Sequence, residues 1–194
     1  MYSNFLVKEL DITFNLKYAL DYLSTLESKF LHLRWEANIT KDTITDADKQ
    51  DCINDVYGWG IQSNLENLSE PCPPYNIHKN GSDVYRNTPL VFGFAEWLLE
   101  QFPYARQMSI AAHPPGTKIR THTDTEKWFK IHIPLITNDK SYFIIDNKNF
   151  ILTPGKMYLV NTSIPHSTYN QGDNIRIHLF FKIPSKIIYD KSIF

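Results

Sequence analysis

The sequence predicts a mainly β protein with N-terminal helices. The expected architecture is a double-stranded β-helix (a jelly-roll or cupin-like barrel) with two helices packed on one outer face. Three observations lead there. From Tyr104 onward, short runs with strand character alternate with turns, over 105–112, 117–122, 128–137, 141–146, 149–152, 156–161, 166–170 and 174–183. About eight short strands at this spacing suit a two-sheet barrel better than an open sheet. Two of the runs alternate with period two. Phe129, Ile131, Ile133 and Leu135 interleave with Lys130, His132 and Pro134, and Ile175, Ile177, Leu179 and Phe181 interleave with Arg176, His178 and Phe180. One face of each strand therefore packs while the other lines something. Finally, the first hundred residues carry two helical patterns and little strand periodicity.

Taken in order, residues 5–12 have short-strand character. Leu16, Leu20, Leu23, Leu26 and Phe30 form one apolar stripe at three- and four-residue spacing, which predicts a helix from Leu16 to Leu31 lying on a sheet. Leu33-Arg34-Trp35 reads as a second short strand. Residues 37–57 are polar and acidic. Asp46, Asp48 and Asp51 suggest a calcium loop, but Asp51 stands where the turn glycine belongs and Tyr57 where a bidentate Glu belongs, so a solvated loop is expected. Residues 58–88 read as irregular, punctuated by Gly58, Gly60, Pro71-Cys72-Pro73-Pro74 and Asn80-Gly81-Ser82. Their aromatic content (Trp59, Tyr75, Tyr85, with Tyr57 just before) argues against disorder, and a lid over a pocket is the expectation. Thr88 as N-cap and Pro89 at the first helical position open a second helix, which runs to about Phe102 with Leu90, Phe94, Trp97 and Leu98 as its stripe and stops at Pro103. Asn147-Lys148-Asn149 and Thr153-Pro154-Gly155 mark turns between the later strands.

Composition bounds the function. A chain of 194 residues is expected to be one domain, and 42% hydrophobic residues suffice for a real core. The formal net charge of −1 argues against a nucleic-acid partner. No apolar run reaches the roughly 20 residues needed to span a bilayer. The N-terminus lacks the pattern of a secretory signal, so a cytoplasmic location without a membrane partner is expected. Cys52 and Cys72 form no C-x-x-C pair; a structural zinc site is not expected, and both read as reduced thiols.

The chemistry concentrates between His113 and Arg176. His122 and Asp124 form an H-x-D pair, and residues two apart on an extended segment point to the same side. His166 follows 42 residues after Asp124, at the end of the segment GKMYLVNTSIPH, and Arg176 comes ten residues later. Two imidazoles and one carboxylate can occupy one face of an octahedral metal and leave the other face open. That is the facial triad of non-haem Fe(II) oxygenases, and the expected site is an iron that activates O2. Arg176 takes an inward position among apolar neighbours. A buried guanidinium needs a partner, either an acidic side chain or a dicarboxylate cosubstrate, and the triad favours the cosubstrate. Lys130 and His132 form a second inward pair. Lys130 is a candidate second cation for cosubstrate or substrate. His132 is either a hydrogen-bond donor to a carboxylate or a satisfied core histidine. His178 shares the face of Arg176 and is a candidate supporting residue, whereas His32, His78 and His113 lack a partner pattern and read as structural.

These residues carry a resemblance. HPPGT before the first ligand, HTD as the pair, KIHIPL on the next strand, GKMYLVNTSIPHS around the distal histidine and NIRIHLFF around the arginine resemble the aspartyl/asparaginyl β-hydroxylase-type Fe(II)/2-oxoglutarate dioxygenases, including the bacterial free-proline hydroxylases. The resemblance covers about residues 104–184; Arg34-Trp35 and Tyr104-Ala105-Arg106 resemble the proline hydroxylase branch more weakly. Asp124 places the chain nearer the full-triad branch, since the vertebrate-type enzymes lack that carboxylate. Lys130 stands where the family usually has Arg. The resemblance implies Fe(II) on His122, Asp124 and His166, and 2-oxoglutarate with its far carboxylate on Arg176. It also implies hydroxylation of a C–H bond of an amino acid, free or peptidyl and Asp-, Asn- or Pro-like, with release of succinate and CO2. Residues 1–103 would then form helical support and a lid, 104–184 the catalytic barrel and 185–194 a tail. Arg120, Trp128 and the 58–88 segment are the candidates for contact with the amino-acid or peptide substrate. Two alternatives stay open: a non-catalytic cupin-like module that binds a small carboxylic acid, and a cupin enzyme holding zinc or manganese. The oligomeric state is not readable from the sequence.

Overall fold

A computed structural model describes residues 5–38, 55–65, 67–72 and 84–186. The acidic run around Asp46, Asp48 and Asp51, together with Cys52, Tyr75, His78, Asn80-Gly81-Ser82 and residues 187–194, lies outside the described residues. The chain forms β1 (Val7–Glu9), α1 (Leu16–Lys29), β2 (Trp35–Asn38), β3 (Asp55–Gly60), β4 (Gln62–Ser63), β5 (Arg86–Asn87) and α2 (Phe94–Gln101). It continues with β6 (Arg106–His113), β7 (Lys118–His122), β8 (Trp128–Ile136), β9 (Ser141–Ile145), β10 (Lys148–Phe150), β11 (Tyr158–Val160), β12 (His166–Asn170) and β13 (Arg176–Pro184). All eight strands expected after Tyr104 form, with ends shifted by a few residues at most.

Two antiparallel sheets face one another. The larger has the order β1-β11-β8-β13-β6-β3-β2 and the smaller β10-β9-β12-β7. This is the expected double-stranded β-helix. The period-two reading holds: Phe129, Ile131, Ile133, Leu135, Leu179, Phe181 and Ile183 belong to the core that α1 and α2 close from outside, leaving Lys130, His132, Arg176 and His178 on the opposite face. Between the sheets the filling is uneven. Phe143, Ile145, Leu152, Tyr158 and Val160 pack at one side. Trp35, Val56 and Ala111, with Ile119 and Phe180, pack at the other. No helix among the described residues is long and apolar enough to cross a membrane.

α1 starts where Asn15 caps it, its side-chain oxygen accepting from Lys17 N at 2.9 Å and from Tyr18 N at 3.4 Å. It buries Ala19, Tyr22, Leu23 and Leu26, and Tyr22 Oη donates to Leu90 O at 2.8 Å. The second helix differs from expectation. It begins at Phe94 rather than Pro89, after Gly93 at φ +54. The hydroxyl of Thr88 does accept from Leu90 N at 3.2 Å, but it opens a short turn. Pro89 suits that turn as well as a helix, and the left-handed Gly93 separates turn from helix.

The larger correction concerns residues 58–63 and 86–87. These are strands, not irregular chain. β3 sits inside the large sheet between β6 and β2. Gly58 and Gly60, which read as turn punctuation, are strand glycines at close approaches. A Cβ on Gly58 would lie 1.9 Å from Ile110 O and 3.0 Å from the Trp35 ring, and one on Gly60 2.4 Å from Cys72 O. The segment read as a strand at Leu33–Trp35 is a 3-10 turn, Leu31–Leu33, followed by β2. The β9–β10 hairpin turns at Asp146 and Asn147, both at positive φ, one residue before the expected cluster.

The clash at Gly58 is with backbone, which cannot swing aside. Gly58→Ala is expected to cost at least ~3 kcal/mol, the upper end for overpacking, as read by urea denaturation; a cost below about 1 kcal/mol on the same scale would contradict this packing.

Candidate active site

The antiparallel pairing of β12 with β7 sets His166 directly opposite His122. Asp124, two residues past the end of β7, is held by its N–H, which donates to Thr162 O at 2.8 Å. The three side chains predicted from sequence thus converge: one ligand atom from each of His122, Asp124 and His166 lies within 4.8 Å of the others. The imidazoles are 4.2 Å apart between centroids, and His166 Nε2 is 4.0 Å from Asp124 Oδ2.

The backbone sets the tautomers. His122 Nδ1 lies 2.9 Å from Arg120 O, and His166 Nδ1 lies 3.0 Å from Ile164 O. A carbonyl only accepts, so each Nδ1 carries its proton and each Nε2 presents a lone pair. Burial, with the His122 ring and the Lys130 ammonium nearby, pushes His166 down to about 4, so it is neutral at pH 7. Burial pushes the Asp124 carboxyl up, but Lys130 and His166 outweigh that and hold it below the usual carboxylate range. With Nδ1 of each ring turned to a backbone carbonyl, Nε2 of His122 and of His166 faces the cluster, and two imidazole nitrogens beside one ionised carboxylate fit a first-row divalent metal.

Lys130 turns inward. Its Nζ lies 2.7 Å from Asp124 Oδ2 and 5.9 Å from the centroid of the Phe180 ring. His132 is buried, and among the described residues neither ring nitrogen has a hydrogen-bond partner. It stacks on Phe180 at 5.6 Å and meets Phe143 edge-on at 5.0 Å, and Phe143 in turn stacks on His166 at 5.8 Å. Burial, with the charges of Lys130 and Arg176, holds His132 well below the ordinary imidazole value. It is therefore a neutral ring with an unmet donor and an unmet acceptor, not a satisfied core histidine.

Arg176, 3% exposed, lies deeper in the interior. Among the described residues no carboxylate pairs with it. Nη1 is instead 3.0 Å from His113 Nδ1, and Nη2 is 3.0 Å from His178 Nδ1. Burial lowers its pKa to about 9. His113 corrects the sequence reading: it does have a partner. It stands opposite Arg176 across β6 and β13, and the signal that would have found it is that strand register. Of the substrate-contact candidates, Arg120 is exposed on β7 and Trp128 is half-buried at the start of β8.

A double-stranded β-helix that brings two histidines and one aspartate together has the donor set that could hold a metal ion. The model of the aspartyl/asparaginyl β-hydroxylase family matches residues 83–185, and the chain belongs to that family. Among solved structures, it is similar to an oxidoreductase of the 2OG-Fe(II) oxygenase family from Burkholderia pseudomallei. The two are 13% identical, covering 85% of this chain and 90% of that one at a TM-score of 0.55. More partial similarities include a predicted oxalate decarboxylase from Thermotoga maritima (21% identity, 47% of this chain and 76% of that one, TM-score 0.38). Another is the Cnp3 cupin domain of Schizosaccharomyces pombe (11% identity, 47% and 64%, TM-score 0.37). No curated protein matches the chain.

The buried imidazoles make a pH prediction. In the folded chain His166 is depressed from 6.5 to about 4, and His113, His132 and His178 are also lowered. Between these values the unfolded chain binds more protons, so this stability is present above pH 6.5 and is lost as pH falls toward 4. Protein kept metal-free by a chelator is expected to lose several kcal/mol over that window, on the order of 3 from His166 alone. Urea denaturation across the window checks this; a flat profile would contradict neutral buried rings.

Proposed function

We propose that this protein is an Fe(II)- and 2-oxoglutarate-dependent hydroxylase acting on a C–H bond of an amino acid, free or within a peptide and of Asp, Asn or Pro type. The observation that carries the reading is the convergence of His122, Asp124 and His166 with both Nε2 lone pairs directed away from backbone acceptors. Membership of the hydroxylase family supports it. We read residues 1–194 as one catalytic unit, with 104–184 its barrel.

In this reading His122, Asp124 and His166 hold the metal. Fe(II) with 2-oxoglutarate supplies the oxidising power for hydroxylation by O2, with succinate and CO2 as co-products. The protein's own contributions are binding and exclusion of water. Arg176, buried and without a carboxylate partner among the described residues, provides the cation for the far carboxylate of 2-oxoglutarate. His132, with both nitrogens unmet, lies on the face shared by Lys130 and Arg176 and can donate to a carboxylate or keto oxygen. Lys130 sits against Asp124 and fixes that carboxylate in its ionised form. Phe143 and Phe180 wall the site against solvent. Arg120 and Trp128, with the described parts of the 58–88 segment, are the proposed contacts for the substrate.

The test is mass spectrometry of amino-acid and peptide panels incubated with Fe(II), 2-oxoglutarate and O2. The expected result is a gain of one oxygen with stoichiometric succinate. No succinate release, coupled or uncoupled, would overturn this reading in favour of a binding module or a zinc or manganese cupin enzyme, which metal analysis of anaerobically purified protein separates. Asp124→Ala is expected to abolish coupled hydroxylation, whereas Arg176→Ala is expected to raise the 2-oxoglutarate requirement by roughly 100-fold, the scale of a lost charge-paired hydrogen bond. An unchanged requirement would overturn the role given to Arg176.

A further inference from the structure

The two imidazoles on Arg176 come from different strands. His178 lies two residues along β13, and His113 stands across the β6 pairing. A guanidinium carries no acceptor, so in both contacts the arginine donates and Nδ1 accepts. Each ring is therefore neutral with its proton on Nε2. The fork of Arg176 is fixed on both terminal nitrogens, yet its charge meets no opposite charge among the described residues. A carboxylate in either place would fix it as well, but would also neutralise it. Leaving a buried charge uncompensated is costly unless a ligand completes it. His178 Nε2 is itself buried and without a partner among the described residues, on a ring 5.9 Å from that of His132.

We propose that His113 and His178 are positioning residues that clamp the Arg176 fork from two sides through neutral acceptors, keeping its full charge for the distal carboxylate of a 2-oxoglutarate-type dianion. This deepens the cosubstrate assignment above and rests on it. The clamp acts through Arg176, and its signature is the sign of the effect when an acceptor is made anionic.

The experiment uses the full chain loaded with Mn(II), which binds without turnover, and reads the affinity for 2-oxoglutarate and N-oxalylglycine by calorimetry. His178→Leu removes the acceptor and is expected to weaken binding ~10-fold or more, the scale of one lost hydrogen bond to a charged group. His178→Asn, whose Oδ1 reaches the Nδ1 position, is expected to recover binding to within about threefold of wild type. His178→Asp keeps the geometry but supplies the anion internally, and is expected to bind at least ~10-fold more weakly than the Leu variant. Mn(II) affinity should stay constant throughout. If the 178 variants do not fold, His113→Asn and His113→Asp on the neighbouring strand should give the same order. In parallel, nitrogen-15 spectra of the wild-type rings should show Nε2–H tautomers for His113 and His178.

The outcomes separate the two ideas. Wild type that binds neither dianion sinks the cosubstrate reading, while the tautomers still report on the clamp. Wild type that binds both, with Leu, Asn and Asp variants all alike, overturns the clamp, as do Nδ1–H tautomers in either ring.

Discussion

The site depends first on the register of one strand pair. β12 and β7 place His166 opposite His122, and a slip of one residue would turn one of the two histidines to the other face of the sheet. The same pairing explains why histidines 44 positions apart in the chain become neighbours. β8, β9, β10 and β11 lie between them in sequence. The hairpin at Asp146 and Asn147 and the apolar packing of Phe143, Ile145, Tyr158 and Val160 fix the length of that excursion. Asp124 then needs only the Thr162 carbonyl on its N–H to complete the set.

The interior between the sheets separates two kinds of charge management. Near the ligands, Asp124 and Lys130 compensate one another at 2.7 Å. Among the described residues, Arg176 is held by two neutral rings instead of a carboxylate. Burial acts in the same direction on His113, His132, His166 and His178, keeping these rings neutral, so they offer lone pairs and N–H donors rather than extra positive charge. A polar lining with few unlike charges is stable only because aromatic side chains from both sheets, Phe143 and Phe180, pack between its members.

Much of this was legible in the sequence. Strict alternation in 128–137 and 174–183 identified which side chains of β8 and β13 share a face, and therefore put Lys130, His132, Arg176 and His178 together. The H-x-D pair and the distal histidine followed from spacing and order. What escaped was set by pairing between distant segments. His113 partners Arg176 across a register that no local pattern encodes. β3 escaped because Gly58 and Gly60 carry turn propensity locally, while the close approach of Ile110, Trp35 and Cys72 requires them in a strand. The second helix was placed early because Thr88 and Pro89 are equally good at opening a turn.

The pairing of β4 with β5, reinforced by Thr88 Oγ1 donating to Gly60 O and Ile61 O at 3.1 and 2.9 Å, brings the two ends of the segment 64–85 to one point on the scaffold. The entropic cost of closing such a loop grows slowly, by only about 0.6 kcal/mol for each doubling of length. A change in the number of residues between Cys72 and Val84 would therefore cost little in loop-closure entropy, whereas Cys72 itself packs against Gly60. The β4–β5 junction thus ties that stretch of chain off from β7 and β12, the strands that bring His122 and His166 together.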